Sequence, residues 1–317
     1  ATYMDIHNKG GGIHYTVDET RKATFEQLLQ SFEIRLRNMI KCGTTLVECK
    51  TGYGLEFETE LKMLRVIDHV KRNNRNVDLV VNFLGAHSVP KGMTADEGAA
   101  AVIEMMQRIK SEAPELGIDF VDVFCEKGVY DTKQSREILL RGSEIFDARI
   151  GFHGDELSSM GCAELAKEIN ARSVSHLEFI TPSGIASMAE ANSVAIVCPT
   201  TAYLLRLKSP PVRDMIDAAV PVAIASDFNP NAHCYSLPMA MNLAVVNFRM
   251  SLNEALIAST INAAFALDRS ATHGSLEIGK FADMILVNAK DWRHLIYEFG
   301  DTQNVIKSVI KRGVVFK

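Results

Sequence analysis

One pattern constrains this chain more than any other. Short runs of β-branched and aliphatic residues alternate, again and again, with longer stretches of helical spacing. The spacing predicts a helix over 24–40, where Phe25, Leu28, Leu29, Phe32, Leu36, Met39 and Ile40 share one face, Thr24 and Gln27 form a capping box and Gly43 stops the run. Strands are predicted at 44–49, 78–84, 120–125, 149–152, 172–175, 194–198 and 221–225. Between them fall helices at about 56–71, within 94–113, at 132–146 and 162–169, and within 182–191 and 212–219, with a closing helix over 252–267. Seven nearly continuous apolar strands separated by helices predict a parallel α/β fold with both sheet faces covered. Without a dinucleotide fingerprint, a TIM-like (β/α)8 barrel short of one strand fits better than a doubly wound sheet. After residue 270 the pattern changes, and strand-like runs at 282–287 and 313–316 predict a small β appendage. The expected division is therefore a barrel domain over 1–270 and a C-terminal segment over 271–317 that returns to a small β-sandwich.

Composition narrows the function classes. The 34 Lys plus Arg and 39 Asp plus Glu give a net charge of -5 with no basic block, which argues against nucleic acid or anionic membrane as a partner. No apolar run approaches a membrane span, since the longest, 218–225, is interrupted by Pro221. The polar, glycine-rich opening residues predict no secretory signal. The six cysteines include no Cys-x-x-Cys pair and read as reduced thiols of a cytoplasmic protein. Gly10-Gly11-Gly12 reads as a loop, because no strand precedes it as a phosphate cradle requires.

Barrels of this kind carry their chemistry at the C-terminal ends of the strands. Following the predicted strands are Lys50-Thr51-Gly52-Tyr53-Gly54, Gly85-Ala86-His87, His153-Gly154-Asp155-Glu156, His176, Pro199-Thr200-Thr201 and Ser226-Asp227-Phe228-Asn229-Pro230. Each member alone has a bland explanation: a strand-end histidine is commonly structural, Asp227 suits a turn, and Glu156 suits a helix N-terminus. Together, His153, His176 and Asp227 from separate strands, with Glu156 nearby, are what metal-assisted hydrolysis needs. The histidines at 7, 14, 69, 233, 273 and 294 have no strand-end placement and read as structural.

The strings His153-Gly154-Asp155-Glu156, His176-Leu177-Glu178 and Ser226-Asp227-Phe228-Asn229-Pro230 resemble the imidazolonepropionases, a histidine-degradation family of the amidohydrolase superfamily. So do Lys50-Thr51-Gly52-Tyr53-Gly54-Leu55, Gly10-Gly11-Gly12-Ile13 and the tail Gly274-Ser275-Leu276-Glu277-Ile278-Gly279. The resemblance covers essentially the whole chain. It implies hydrolysis of 4-imidazolone-5-propanoate to N-formimidoyl-L-glutamate with one Zn²⁺ or Fe ion per chain. It implies His153 and Asp227 as metal ligands, Glu156 as proton carrier and substrate contact, and His176 as the group that polarises the bond under attack. Asp227 is the other candidate for the proton of the attacking water. Tyr53 and His87 would hold the imidazolone and its propionate, and Asn229 the formimidoyl-glutamate end. Lys50 is expected to be a structural or substrate-neighbour lysine, since the family is mononuclear. The expected partner is the small-molecule substrate, with a homodimer left open.

The chain departs from the pattern twice. It has no His-x-His pair, which the superfamily carries on its first barrel strand, and Asn231-Ala232 follow Pro230 where many bacterial members have Gly then Ser or Thr. From the first departure follows an expectation that this chain alone binds metal weakly, hydrolyses no imidazolonepropionate and aggregates. Two other functions stay open: another cyclic-amide hydrolase or aminohydrolase of the superfamily, and a non-catalytic truncated isoform.

Overall fold

The computed structural model of the protein describes residues 12–316. Seven strands lie side by side in chain order: β1 (Leu46–Lys50), β2 (Asp78–Ala86), β3 (Phe120–Cys125), β4 (Arg149–Gly154), β5 (Ser173–His176), β6 (Val194–Val197) and β7 (Val222–Ile224). Every neighbouring pair is parallel. Helices alternate with them, so the sheet curls as the wall of a barrel with its helices outside. These helices are α1 (Ile13–Lys22), α2 (Phe25–Lys41), α3 (Phe57–Asn73), α4 (Ala95–Glu112), α5 (Thr132–Phe146), α6 (Cys162–Glu168), α7 (Pro182–Ala191), α8 (Pro199–Leu205), α9 (Val212–Asp217), α10 (Leu237–Asn247), α11 (Leu252–Ala258) and α12 (Ile261–Ala266). Among the described residues β1 and β7 stand at the two ends of the sheet and do not pair with each other. No described helix is long and apolar enough to cross a membrane.

Local sequence explains why the helices start where they do. Reciprocal capping boxes open α2 at Thr24 and Gln27, α4 at Thr94 and Glu97, α5 at Asp131 and Gln134, and α11 at Ser251 and Glu254. With the start fixed, an apolar stripe such as Val102, Met106 and Ile109 of α4 turns toward the sheet and joins the main core. The strands alternate in the same sense. On β3, Val121, Val123 and Cys125 pack with the helices, while Asp122 stands on the opposite face with Lys50, Asn82 and His153.

Several elements differ from the sequence reading. The helix expected over 252–267 is two, α11 and α12, broken at Thr260, whose backbone (φ −126°, ψ −95°) is not helical. α1 buries only Ile13, Val17 and Thr20, too sparse a stripe to stand out. α8 begins at Pro199, directly after β6, where Pro-Thr-Thr reads as loop; proline suits a first helical turn, whose N–H has no partner to lose. α10 is apolar on nearly all sides, so periodicity does not mark it. Of the loop expected at 10–12, Gly10 and Gly11 lie outside the described residues, as does His7, and Gly12 is the N-cap of α1.

The C-terminal segment forms an antiparallel sheet of β8 (Met284–Val287), β9 (Ile306–Lys311) and β10 (Val314–Val315). The expected final strand is only the two-residue β10. The longer β9 was missed because a lysine, Lys311, occupies a buried position and breaks its alternation. Lys311 donates to Asp78 and Asp283, His273 Nε2 lies 2.8 Å from Asp78 Oδ2, and Arg312 donates to Asp78 Oδ1 at 2.9 Å. Charge at the start of β2 thereby fastens the small sheet to the barrel.

Candidate active site

The residues following the strands meet around one cavity of about 740 Å³, which extends between β1 and β7. Its walls include Tyr53, His87, His153, Glu156, His176 and Asp227, so the structure brings together all of the candidates named for separate strands. Asn229 lines it as well. His153, His176 and Asp227 each present a ligand atom, and the three atoms lie within 4.8 Å of one another. Both histidines are buried.

Backbone conformation aims these side chains. His153 pairs with Ser175 and Gly154 with His176 across β4 and β5, so the two imidazoles emerge one step apart. His176 and Leu177 both have positive φ (81° and 67°), an uncommon conformation for residues with side chains. It is held from outside: Leu177 N–H donates to Gly154 O at 3.2 Å and Phe179 N–H to Asp155 O at 2.8 Å. Asp227 also has positive φ (48°). Thr201 Oγ1 donates to Asp227 Oδ2, and Asn229 Nδ2 donates to both Asp227 O at 2.8 Å and Oδ2 at 3.1 Å. Asn229 thus steadies Asp227, a use that its motif position alone did not reveal.

Two buried carboxylates behind the cavity were not singled out from sequence. Asp122 Oδ1 lies 2.9 Å from His153 Nδ1, and its Oδ2 accepts from Lys50 Nζ at 2.9 Å and Asn82 Nδ2 at 3.0 Å. A carboxylate can only accept, so His153 carries its proton on Nδ1 and presents a bare Nε2, the tautomer a metal ligand needs. Burial alone would raise the Asp122 carboxyl, but His153 and Lys50 outweigh it and hold it well below the usual range. The second is Glu178, fully buried, which appeared in the sequence only as part of a matched string. Lone charged residues inside apolar runs, as in Phe-Val-Asp-Val-Phe-Cys, were the signal available for Asp122.

Lys50 also contacts Glu48 Oε2 at 3.0 Å. Burial would discharge it, yet Asp122 and Glu48 hold it as an ammonium. Glu156 is pushed up to about 7, first by burial and then by the negative charges of Glu178, Asp227 and Glu126, with His176 opposing. Its loop is pinned by Glu126, which accepts from Leu157 N at 2.9 Å and from Ser158. His87, partly open to the cavity, is pushed down to about 4 by the surrounding protein and by His153. Its Nδ1 lies 3.0 Å from the Gly52 carbonyl, so that nitrogen donates and Nε2 is left as an acceptor. Tyr53 meets the His87 ring edge-on, with centroids 5.1 Å apart.

The donor set suits a divalent metal ion, the cofactor that the family supports. His153 Nε2, left bare by Asp122, and Asp227 offer such an ion an imidazole nitrogen and a carboxylate oxygen. One other described group could hold an ion, Asp78 with His273 and Asp283, but Lys311 already supplies its positive charge.

A model of the amidohydrolase family matches residues 138–316. A probable imidazolonepropionase of Homo sapiens is 54% identical over 316 residues, 99% of this chain and 74% of that protein. One from Nematostella vectensis is 48% identical, over 99% of this chain and 74% of its own length. Among solved structures, 5-methylcytosine deaminase from Klebsiella pneumoniae, liganded with phosphonocytosine, aligns with a TM-score of 0.76 at 17% identity, covering 98% of this chain and 81% of that one. Guanine deaminase from C. acetobutylicum, with bound guanine, gives 0.72 at 15% identity over 94% and 77%. At that identity the deaminases speak for the fold alone. Half-identity along almost the whole chain says more, and it places this protein in the amidohydrolase family, among the imidazolonepropionases.

Proposed function

We propose that the chain hydrolyses the cyclic amide of 4-imidazolone-5-propanoate to N-formimidoyl-L-glutamate, as the names of its relatives indicate. One observation carries the reading at the level of chemistry: two imidazoles and a carboxylate converge within 4.8 Å, with Glu156 at their edge. His153 and Asp227 would hold a Zn²⁺ or Fe ion, with His176 within reach of both. Bound there, such an ion supplies a Lewis acid and makes hydroxide available near neutral pH.

The chain's own groups account for the rest. Glu156, poised near 7, takes the proton of the attacking water and returns it to the ring nitrogen as the C–N bond breaks. His176, whose Nε2 lies 3.8 Å from Glu156 Oε2, would polarise the carbonyl. His87, neutral with Nε2 free to accept, suits a ring N–H of the substrate, and Tyr53 closes that side. Asn229 would meet the product through whatever capacity Asp227 leaves it.

The experiment is an assay of the 317-residue chain with imidazolonepropionate, alongside metal analysis. Turnover with one bound ion supports the function and overturns the expectation that this chain alone is inert. If the chain is inert, a segment bearing a His-x-His pair is supplied in trans. Continued inactivity with metal bound, or hydrolysis only of other cyclic amides, would sink the proposed substrate.

A further inference from the structure

His176 stands between two carboxyl groups. Its Nε2 is 3.8 Å from Glu156 Oε2, and its Nδ1 is 3.9 Å from Glu178 Oε2. The function proposed above employs Glu156 but leaves Glu178 without a part. Glu178 is 0% exposed, and neither of its oxygens has a hydrogen-bond partner; nor does His176 Nδ1. A buried polar atom without a partner is rare, and here three such atoms face one another. The gap is about 1 Å beyond hydrogen-bonding reach. The two consecutive left-handed residues, His176 and Leu177, carry the chain back so that the third residue of His-Leu-Glu lies beneath the ring of the first. Strain of this kind persists where surrounding structure enforces it, and Gly154 and Asp155 do so here.

We propose that Glu178 is a positioning residue, accepting the Nδ1–H of His176 and so fixing the resting tautomer, whose bare Nε2 faces Glu156 and the donor cluster and takes a proton from Glu156 before it can donate to the carbonyl. Its relevance to turnover rests on the hydrolytic reading of the site. The placement itself needs only an acceptor oxygen, which a carboxylate and a carboxyl both provide. Asp122 does the same for His153, at 2.9 Å. The two imidazoles, with ring centroids 5.4 Å apart, would then each be backed by their own acid.

The test uses the full chain with ¹⁵N-labelled histidine, with and without Zn²⁺, and two-bond ¹H–¹⁵N spectra in which a His176→Gln variant assigns the ring. Wild type and Glu178→Gln, whose amide oxygen still accepts, are expected to carry the proton on Nδ1. Glu178→Leu, which fills the space but accepts nothing, is expected to move it toward Nε2. Where turnover is measurable, Glu178→Leu should lower kcat about 10–100-fold with little change in KM, and Glu178→Gln should recover most of it. A wild-type ring protonated on Nε2, or a tautomer unchanged in Glu178→Leu, overturns the proposal; the wild-type spectrum decides even if the leucine variant does not fold. A shifted tautomer in a chain that hydrolyses no imidazolone would instead defeat the functional reading and leave the role of Glu178 standing.

Discussion

Asp122 and His153 face each other across neighbouring strands, Oδ1 to Nδ1 at 2.9 Å, and Lys50 closes the line from the far side at 2.9 Å. The contact converts a core carboxylate into a device that orients a ligand. Asp122→Asn keeps the shape but loses the charge that favours the Nδ1–H tautomer, and metal affinity should fall about 10–100-fold. Asp122→Ala also leaves Lys50 short of one counter-charge, and partner loss in a buried pair costs roughly 3–5 kcal/mol, softened here by Glu48. Metal titration and denaturant unfolding of both variants separate the effects. Equal metal affinity in wild type and Asp122→Asn would remove Asp122 from the site.

For Glu156 the expected loss is kinetic. General base catalysis contributes about 10²–10⁴-fold, so Glu156→Gln should lower kcat by that factor under conditions that give turnover, while metal content stays unchanged. The wild-type rate should rise with pH through the Glu156 titration, near 7 before a metal's positive charge lowers it. That limb should vanish in the variant. A near-normal kcat would rule Glu156 out as the proton carrier.

The same group makes a prediction about stability in the metal-free chain. Its folded value, about 7, lies above the ordinary 4.5, so the stability of the protonated form is fully present below 4.5 and is lost as pH rises to about 7. Glu156→Gln avoids that loss. It should be more stable than wild type at pH 8, by up to ~3 kcal/mol, and equal to it near pH 4. Denaturant midpoints at the two pH values check the sign, and a variant less stable at pH 8 would contradict it.

How much of this was legible in the sequence depended on which face of a strand a residue occupies. His153, His176 and Asp227 stand where apolar runs end, so topology alone carried them to one rim. Asp122 and Glu48 sit inside such runs, where a single charge is easily passed over as noise in an apolar strand. The partners of Asp122, His153 and Lys50, come from β4 and β1 and become its neighbours only when the sheet curls, whereas Glu48 meets Lys50 along its own strand. Glu178 was harder still: its place under His176 depends on two positive-φ residues that sequence does not announce, since neither is glycine, asparagine or aspartate. The helix α10 was hidden for a related reason, because a helix apolar on nearly every side has no polar face to give it a period.

Gly154 offers a purely steric prediction. A Cβ built there would meet Cys162 Cβ at 2.5 Å and its Sγ at 2.6 Å, so the end of β4 and the start of α6 touch through this glycine. Neither side yields easily, for Cys162 is wholly buried and its thiol already points at the Cys125 carbonyl, 3.7 Å away. Gly154→Ala should therefore cost about 1–3 kcal/mol by overpacking. Because Gly154 separates His153 from Asp155 and its carbonyl anchors Leu177, the displacement should also reach the donor cluster and weaken metal binding. Pairing the substitution with Cys162→Gly, which removes both clashing atoms, tests the cause. If the clash with Cys162 is what matters, the double variant should recover most of the metal affinity lost by Gly154→Ala; recovery of neither affinity nor stability would assign the effect to the backbone of β4 instead.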